Sequence, residues 1–399
     1  MDIDKPVLLI EINESNYVFV ACTYDENQNL KIAEKIVAPS AGILKNKFIN
    51  IEKANEEIKK NIRILEKKIN FVFKDVTVII DNFDYASINI SGFKKLNGSQ
   101  VLKENISYIL NSLKLAITEN EKEKTILHIF NSKSILDGLS IQNLPIGLFG
   151  NFYSHELTFF LIDNNDLKNI YKLFNKNNLN IQKIILKSFG EGANLINQNK
   201  TIETFFKIKI SENISHISFF YNSAFRYSEI LNFGTNIIFK DIEKICSLEH
   251  ETIRSFLSNN FLNEKNFDEN EILEENYFDK KNFRKIRKKL IFDIAEARIS
   301  EMIDIMFNKN INIKSLKENK LNIFLTIKDN DIFDNFKTSF KSYLLKDNSY
   351  EIDLVNDTEI EESFMNVANL SIYGWKKEAI PTAKIKKSLI TRIFKSLFG

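Results

Sequence analysis

The residues that could do chemistry are few and dispersed. Ser154, His155 and Glu156 place a hydroxyl, an imidazole and a carboxylate side by side. They lie in a strand-like run, where adjacent side chains point to opposite faces, so they cannot relay a proton. A structural histidine is the reading taken. Asp81 and Asp84 could work as acid and base, but they border a strand end, where capping a loop is the commoner task. Four histidines (His128, His155, His216, His250) and two cysteines (Cys22, Cys246) show no metal-ligand spacing and no disulfide framework. Two distant thiols suit a reducing cytoplasm. Lys280, Lys281, Arg284, Lys285, Arg287, Lys288 and Lys289 form a basic block leading into a long helical stretch. A solvated helical face accounts for most of that block. Phe364, Tyr373 and Trp375 read as core aromatics.

The chain that must position these groups has 399 residues, with 55 basic and 53 acidic side chains and a net charge of +2. Near-neutrality removes the basic excess that nucleic-acid binding needs. At 44% hydrophobic, with 34 Phe and 12 Tyr, the chain can bury a large core, and global disorder is excluded. The length suits two or three domains. Apolar runs such as Val76–Ile80 and Leu157–Ile162 are far shorter than the ~20 residues that cross a bilayer. The opening Met1–Asp4 lacks the basic start of a secretory leader, so none is expected.

Alternation and β-branched residues predict strands over Val7–Ile12, Tyr17–Thr23 and on through Ile36. Ala54, Ile58, Ile62, Leu65 and Ile69 are spaced for a helix over Glu52–Ile69, followed by a strand over Val72–Ile80. A helix over Asn97–Leu115, strands over Lys124–Phe130 and Glu156–Asp163, and a strand and turn around Asp137–Gly138 come next. Asn165–Asn175 reads as a helix, Ile181–Leu186 as a strand and Glu191–Ile196 as a helix. The meander then restarts with Phe205–Ile210, Ile214–Tyr221 and Phe225–Leu231. Helices over Asn236–Leu257, Phe283–Phe307, Asp331–Ser342 and Asp357–Tyr373 alternate with strands over Leu321–Ile327 and Tyr350–Val355. Two related α/β halves follow from the repeat.

Beyond Pro381 the composition changes. Lys384, Lys386, Lys387, Arg392 and Lys395 are cationic, and Glu378 is the last acid. Wound as a helix from Ser388, the residues Leu389, Ile390, Ile393, Phe394, Leu397 and Phe398 cover one half. Thr391, Arg392, Lys395 and Ser396 cover the other. Two readings stand on this pattern: a basic amphipathic anchor on an anionic membrane, or a last helix docked on the core. The linker-like Glu378–Lys386 and the terminal position favour the anchor.

Several stretches, in order, resemble the actin-like bacterial cell-division protein family FtsA. Ser40–Ile51 is similar to that family's serine–glycine–isoleucine stretch. Ile135–Gly138, Asn143–Leu148 and His155–Thr158 resemble its aspartate–glycine, proline–x–glycine and histidine segments. Asn222–Arg226, Asn232–Asn236 and Asp241–Ile242 resemble its second meander, Ala295–Arg298 its long helix, and Ala368–Gly374 its final core helix. The resemblance implies an α/β, actin-like (ribonuclease H-like), two-lobed fold. The first lobe would be 1–83 and 164–200 with 365–380, interrupted by an FtsA-type inserted subdomain over 84–163. The second lobe would be 201–235 and 310–364, with a subdomain over 236–309, and 381–399 would be linker and membrane helix.

The resemblance also implies ATP and Mg²⁺ held by glycine-rich loops. The positions that match those loops depart from the pattern. The first, Asp-Ile-Gly-Thr-Ser-Lys in the family, is Glu11-Ile12-Asn13-Glu14-Ser15-Asn16 here. The second is Lys209-Ile210-Ser211-Glu212-Asn213-Ile214-Ser215-His216, and the adenosine-side loop is Thr326-Ile327-Lys328-Asp329-Asn330. All three lack glycine, and Glu14 and Glu212 oppose a triphosphate. Asn13 and Asn213 are expected to keep the turns through positive φ. The cofactor positions are thus Asn13, Glu14, Ser15, Ser211, Glu212, Asn213, Thr326 and Lys328, with little or no nucleotide bound, no metal and no hydrolysis.

The implied function is a non-enzymatic adaptor that tethers FtsZ to the cytoplasmic face of the inner membrane at the division septum. It would recruit later division proteins through 84–163 and self-associate, with no nucleic-acid partner. Arg287 and Arg298 are the candidate contacts for the FtsZ C-terminal peptide, and Leu389, Ile390, Arg392, Ile393, Phe394, Lys395, Leu397 and Phe398 the membrane contacts. The alternatives are an ATP-binding, polymerising protein of the same type, or an actin-like platform of a pilus or secretion assembly.

Overall fold

The computed structural model describes residues 5–25, 30–44, 46–81, 83–199, 201–259, 270–278, 284–316, 321–345, 350–354 and 360–380. The terminal segment 381–399, with every expected membrane residue, and Lys280 and Lys281 of the basic block lie outside the described residues.

The strands are β1 (Val7–Ile12), β2 (Asn16–Tyr24), β3 (Leu30–Pro39), β4 (Ile43–Leu44), β5 (Lys47–Phe48), β6 (Asp75–Ile80), β7 (Tyr85–Lys95), β8 (Lys124–Leu136), β9 (Leu139–Ile141), β10 (Phe152–Asp163), β11 (Asn180–Leu186), β12 (Phe205–Ile210), β13 (Ser215–Tyr221), β14 (Ala224–Leu231), β15 (Leu321–Ile327), β16 (Tyr350–Leu354) and β17 (Glu378–Ile380). The helices are α1 (Ile51–Ile69), α2 (Lys103–Asn120), α3 (Asn164–Asn175), α4 (Lys187–Gln198), α5 (Asn236–Cys246), α6 (His250–Asn259), α7 (Lys288–Ile303), α8 (Ile311–Lys314), α9 (Asn330–Leu344) and α10 (Ile360–Tyr373).

The chain forms two compact units. The first comprises Met1–Glu203, Phe220–Arg226 and Glu359–Gly399, and the second Thr204–Phe219 and Tyr227–Thr358. In the first unit one sheet runs β11-β6-β1-β2-β3, and a second runs β17-β8-β10-β7 with β9 on β8. The third sheet runs β14-β13-β12-β15-β16. The first and third sheets share one plan: an antiparallel meander whose first strand also pairs with a parallel strand, itself paired in parallel with another. The nearly continuous burial of β1, β6 and β12 fits central strands covered on both faces.

Helix α1 shows how local sequence fixes an element. Asn50 caps it by accepting from the Lys53 amide at 3.0 Å, and Asn70, at φ 53°, ends it in the left-handed region. Its Ala54, Ile58, Ile62 and Leu65 face is buried, each Ile or Leu contributing roughly 2 kcal/mol of transfer free energy. Gly42 ahead of it (φ 76°) has no alternative, because a Cβ there would lie 2.0 Å from the Asn50 carbonyl oxygen.

Four expectations change. The helix expected from Asn97 starts at Lys103, because Asn97 and Gly98 both sit at positive φ (53° and 82°) and form a turn. The expected helix over Asn236–Leu257 is broken by Ser247 at φ 52° into α5 and α6. The long helix over Phe283–Phe307 is α7, running on into a π-helical turn over Asp304–Asn308. Part of the linker-like Glu378–Lys386 is strand β17, paired with β8. Strand β7 had no sequence expectation, since Asn89, Ser91 and Gly92 dilute its pattern.

Candidate functional site

The β1–β2 turn carries Asn13, Glu14 and Ser15 in the first unit. The Asn13 side-chain oxygen accepts from the Ser15 amide at 2.9 Å and the Asn16 amide at 2.7 Å. Two amides that a phosphate loop would offer to a ligand are spent on the carboxamide. Asn13 is not in the left-handed region, nor is Asn213, so the expected positive-φ turns are corrected. A side-chain Asx turn does that work at Asn13. Asn13 Nδ2 also donates to Glu11 Oε1 at 2.8 Å.

Glu11, at the end of β1, is 3% exposed. The Lys187 ammonium donates to its Oε1 at 2.6 Å and lies 3.3 Å from Asp81 Oδ2 at the end of β6. Burial lowers the Lys187 pKa, but the fields of Asp81, Glu11 and Glu191 together outweigh it and hold the pKa well above the usual lysine range. Asp81 thus pairs with a lysine, a partner that the sequence reading did not supply. Asp84 is exposed, 3.9 Å from Lys47.

Ser211, Glu212 and Asn213 form the β12–β13 turn of the second unit. The N-terminus of α5 closes onto it: the Thr235 amide donates to Ser211 O at 3.0 Å and the Asn236 amide to Glu212 O at 2.9 Å. Asn236 Nδ2 donates to Asn213 Oδ1 at 2.9 Å. The approach is tight enough that a Cβ on Gly234 would lie 2.0 Å from Ser211 O.

Thr326 is buried on β15, and the Lys328 amide donates to Ile210 O at 2.9 Å. Next to them Asp329 caps α9, accepting from the Ile332 amide at 3.2 Å. Arg254 spans Asp329 and Asp331, donating to each at 3.1 Å, and its Nε donates to His250 Nε2 at 3.0 Å. That bond leaves the His250 proton on Nδ1, which faces Glu243 at 2.7 Å. Burial acts against the Arg254 charge, and the two aspartates more than offset it, raising its pKa.

These residues do not fit a metal–triphosphate. Lysine and arginine fill the carboxylate groups, and in the first two loops backbone groups are turned inward. Among the described residues, no three of His, Cys, Asp and Glu are disposed to hold a metal ion. Sequence reasoning missed Lys187 and Arg254. One signal was available for Lys187: a cation at a helix N-terminus opposes the macrodipole and needs carboxylates to hold it.

The other candidate residues separate. Arg287 is exposed ahead of α7. Arg298 is bound within the chain, to Asp241 and, at 2.5 Å, to Glu301. Lys288 departs from the solvated-face reading: it is 3% exposed, with Glu271 at 2.7 Å and Glu274 at 2.5 Å. His155 is 1% exposed, neither ring nitrogen is hydrogen-bonded among the described residues, and burial pushes its pKa down to about 4. Glu156, on the opposite face, pairs with Arg226. Phe364 is core and the Trp375 indole donates to Ser223 O at 2.8 Å, but Tyr373 is 75% exposed and is not a core residue.

No family model matches the chain. The cell division protein FtsA of Neisseria meningitidis serogroup B is 20% identical over 238 residues, 60% of this chain and 57% of that protein. FtsA of Buchnera aphidicola is 21% identical over 248 residues, 62% of this chain and 59% of that protein. The match thus spans less than two thirds of either relative. Among solved structures, the PilM–PilN type IV pilus biogenesis complex aligns with a TM-score of 0.55 at 10% identity, over 92% of this chain and 98% of that one. That likeness is one of fold. The chain has the actin-like α/β fold. Among the described residues, no helix is long and apolar enough to cross a membrane.

Proposed function

We propose that the chain is a non-catalytic, FtsA-type adaptor that gathers FtsZ at the cytoplasmic face of the inner membrane during division. The observation that carries the non-catalytic part is the Lys187 ammonium seated between Glu11 and Asp81. A tethered cation there supports a body whose fold needs no metal-bound nucleotide. The likeness to FtsA supports the division role. In this reading Arg287 meets the partly acidic FtsZ tail directly, while Arg298 braces α7 against Asp241. Residues 84–163 receive later division proteins, the protein self-associates, and Leu389–Phe398 supply a peripheral anchor. Charge complementarity at α7 would aid encounter more than affinity.

The test is co-sedimentation of purified FtsZ with phosphatidylglycerol-containing vesicles, with the full chain and no nucleotide added. FtsZ should pellet only when the chain is present, and removing Leu389–Gly399 should abolish pelleting. FtsZ left in the supernatant in both cases overturns the reading. A second reading, an actin-like platform for a pilus assembly, draws on the fold likeness to the PilM–PilN complex. It predicts no FtsZ recruitment.

A further inference from the structure

We propose that the free end of the β7–β10 sheet is a second lipid-contact surface, which dips apolar side chains into an anionic bilayer. This extends the membrane placement proposed above and rests on it.

Three turns meet at that end: Asn97–Gly98 after β7, Asp137–Gly138 between β8 and β9, and the 143–151 run before β10. Backbone bonds knit them together. The Leu96 amide donates to Asn151 O at 2.8 Å, Gly98 to Gly150 O at 3.0 Å, Val101 to Leu148 O at 2.9 Å and Gly147 to Val101 O at 2.8 Å. The Asp137 carboxylate accepts from the Asn151 and Phe152 amides at 2.9 and 2.7 Å. This end is held by its backbone and by buried Leu96 and Val101, yet a second set of its apolar side chains is exposed.

Phe93, Leu139, Ile146, Leu148, Phe149 and Phe152 are all exposed, Leu139 to 73% and Phe149 to 69%. Phe93 and Phe152 stack at 5.3 Å on the face of the sheet away from α2. A Cβ added at Gly98, Gly138 or Gly147 would meet no atom within 4 Å, so the turns project into open space. A concentration of exposed apolar side chains marks an interaction surface.

The charge around them selects the occupant. Lys95 stands opposite Phe152 in the ladder, Lys94 lies 4.4 Å from the Tyr108 ring, and Lys103 follows exposed Leu102. Of the nearby acids Glu104 and Asp137, the latter is spent on backbone amides. Projecting aromatic and aliphatic side chains with a cationic rim fit an anionic lipid interface.

The test places an NBD fluorophore on Leu139→Cys in the full chain; Cys22 and Cys246 are buried and stay unlabelled. With phosphatidylglycerol–phosphatidylethanolamine vesicles, emission should rise at least threefold and shift to the blue. Phosphatidylcholine vesicles should give less than a third of that gain, as should Phe149→Ser with the anionic vesicles. Pelleting with a silent probe overturns this inference alone. A probe response to protein concentration without vesicles also overturns it, because a second copy then covers the surface. Failure to pellet overturns the membrane placement itself.

Discussion

The first and third sheets follow the same strand plan and close their strand ends by different means. In the first, a lysine at the N-terminus of α4 is pulled against the helix dipole by Glu11, Asp81 and Glu191. In the third, Asp329 sits at the N-terminus of α9, where the dipole favours a carboxylate, and Arg254 reaches it from α6. One closure sets a charge-assisted hydrogen bond and carboxylate fields against the local helix field. The other works with that field and adds a cap and the Phe239 ring, 4.5 Å from the guanidinium. The first should therefore be the more fragile.

The largest effect is expected at Lys187. Lys187→Met leaves Glu11 buried without its cation and should lower stability by about 3 kcal/mol in urea unfolding at pH 7. Adding Glu11→Gln should restore more than half of that loss. A loss under 1 kcal/mol would break the comparison, since the lysine would then be incidental.

The second sheet offers a contrast, a buried imidazole with no hydrogen-bond partner among the described residues. The folded-state pKa of His155 is pushed below the unfolded value, from 6.5 to about 4. Its contribution is fully present above pH 6.5 and is lost as pH falls toward 4, approaching about 3 kcal/mol below that. His155→Phe should flatten this part of the pH–stability curve between pH 7 and 4. An unchanged curve would show that the ring is already protonated or bonded.

For the third sheet, Arg254→Met should cost about 2 kcal/mol by stranding buried Asp329, less than Lys187→Met. Equal or larger loss reverses the ranking of the two closures. The smallest effect belongs to Asn13→Gly, which puts a glycine into the turn but removes three side-chain bonds, for about 1 kcal/mol in thermal unfolding. It should not create Mg-ATP binding, because Lys187 stays in place.

The repeated meander was legible because strand alternation and helical spacing survive in each half, as β1–β2 and β12–β13 show. Turn residues decided what periodicity could not: Ser247 splits a helix that its apolar spacing continues through, and Asn97–Gly98 delays α2. The absence of glycine from the three loops was plain in the sequence. What the loops hold instead was not. Lys187 meets Glu11 across 176 positions of chain and Arg254 meets Asp329 across 75, and only the folded sheets bring such pairs together. Tyr373 read as core because it ends an apolar helical run, yet it lies one residue before the Gly374 turn and faces outward.

Isothermal titration of Mg-ATP into the full chain is the most direct measurement. With Lys187 and Arg254 already seated in the carboxylates, no saturable heat should appear up to millimolar nucleotide. A one-to-one isotherm in the micromolar range would contradict the account.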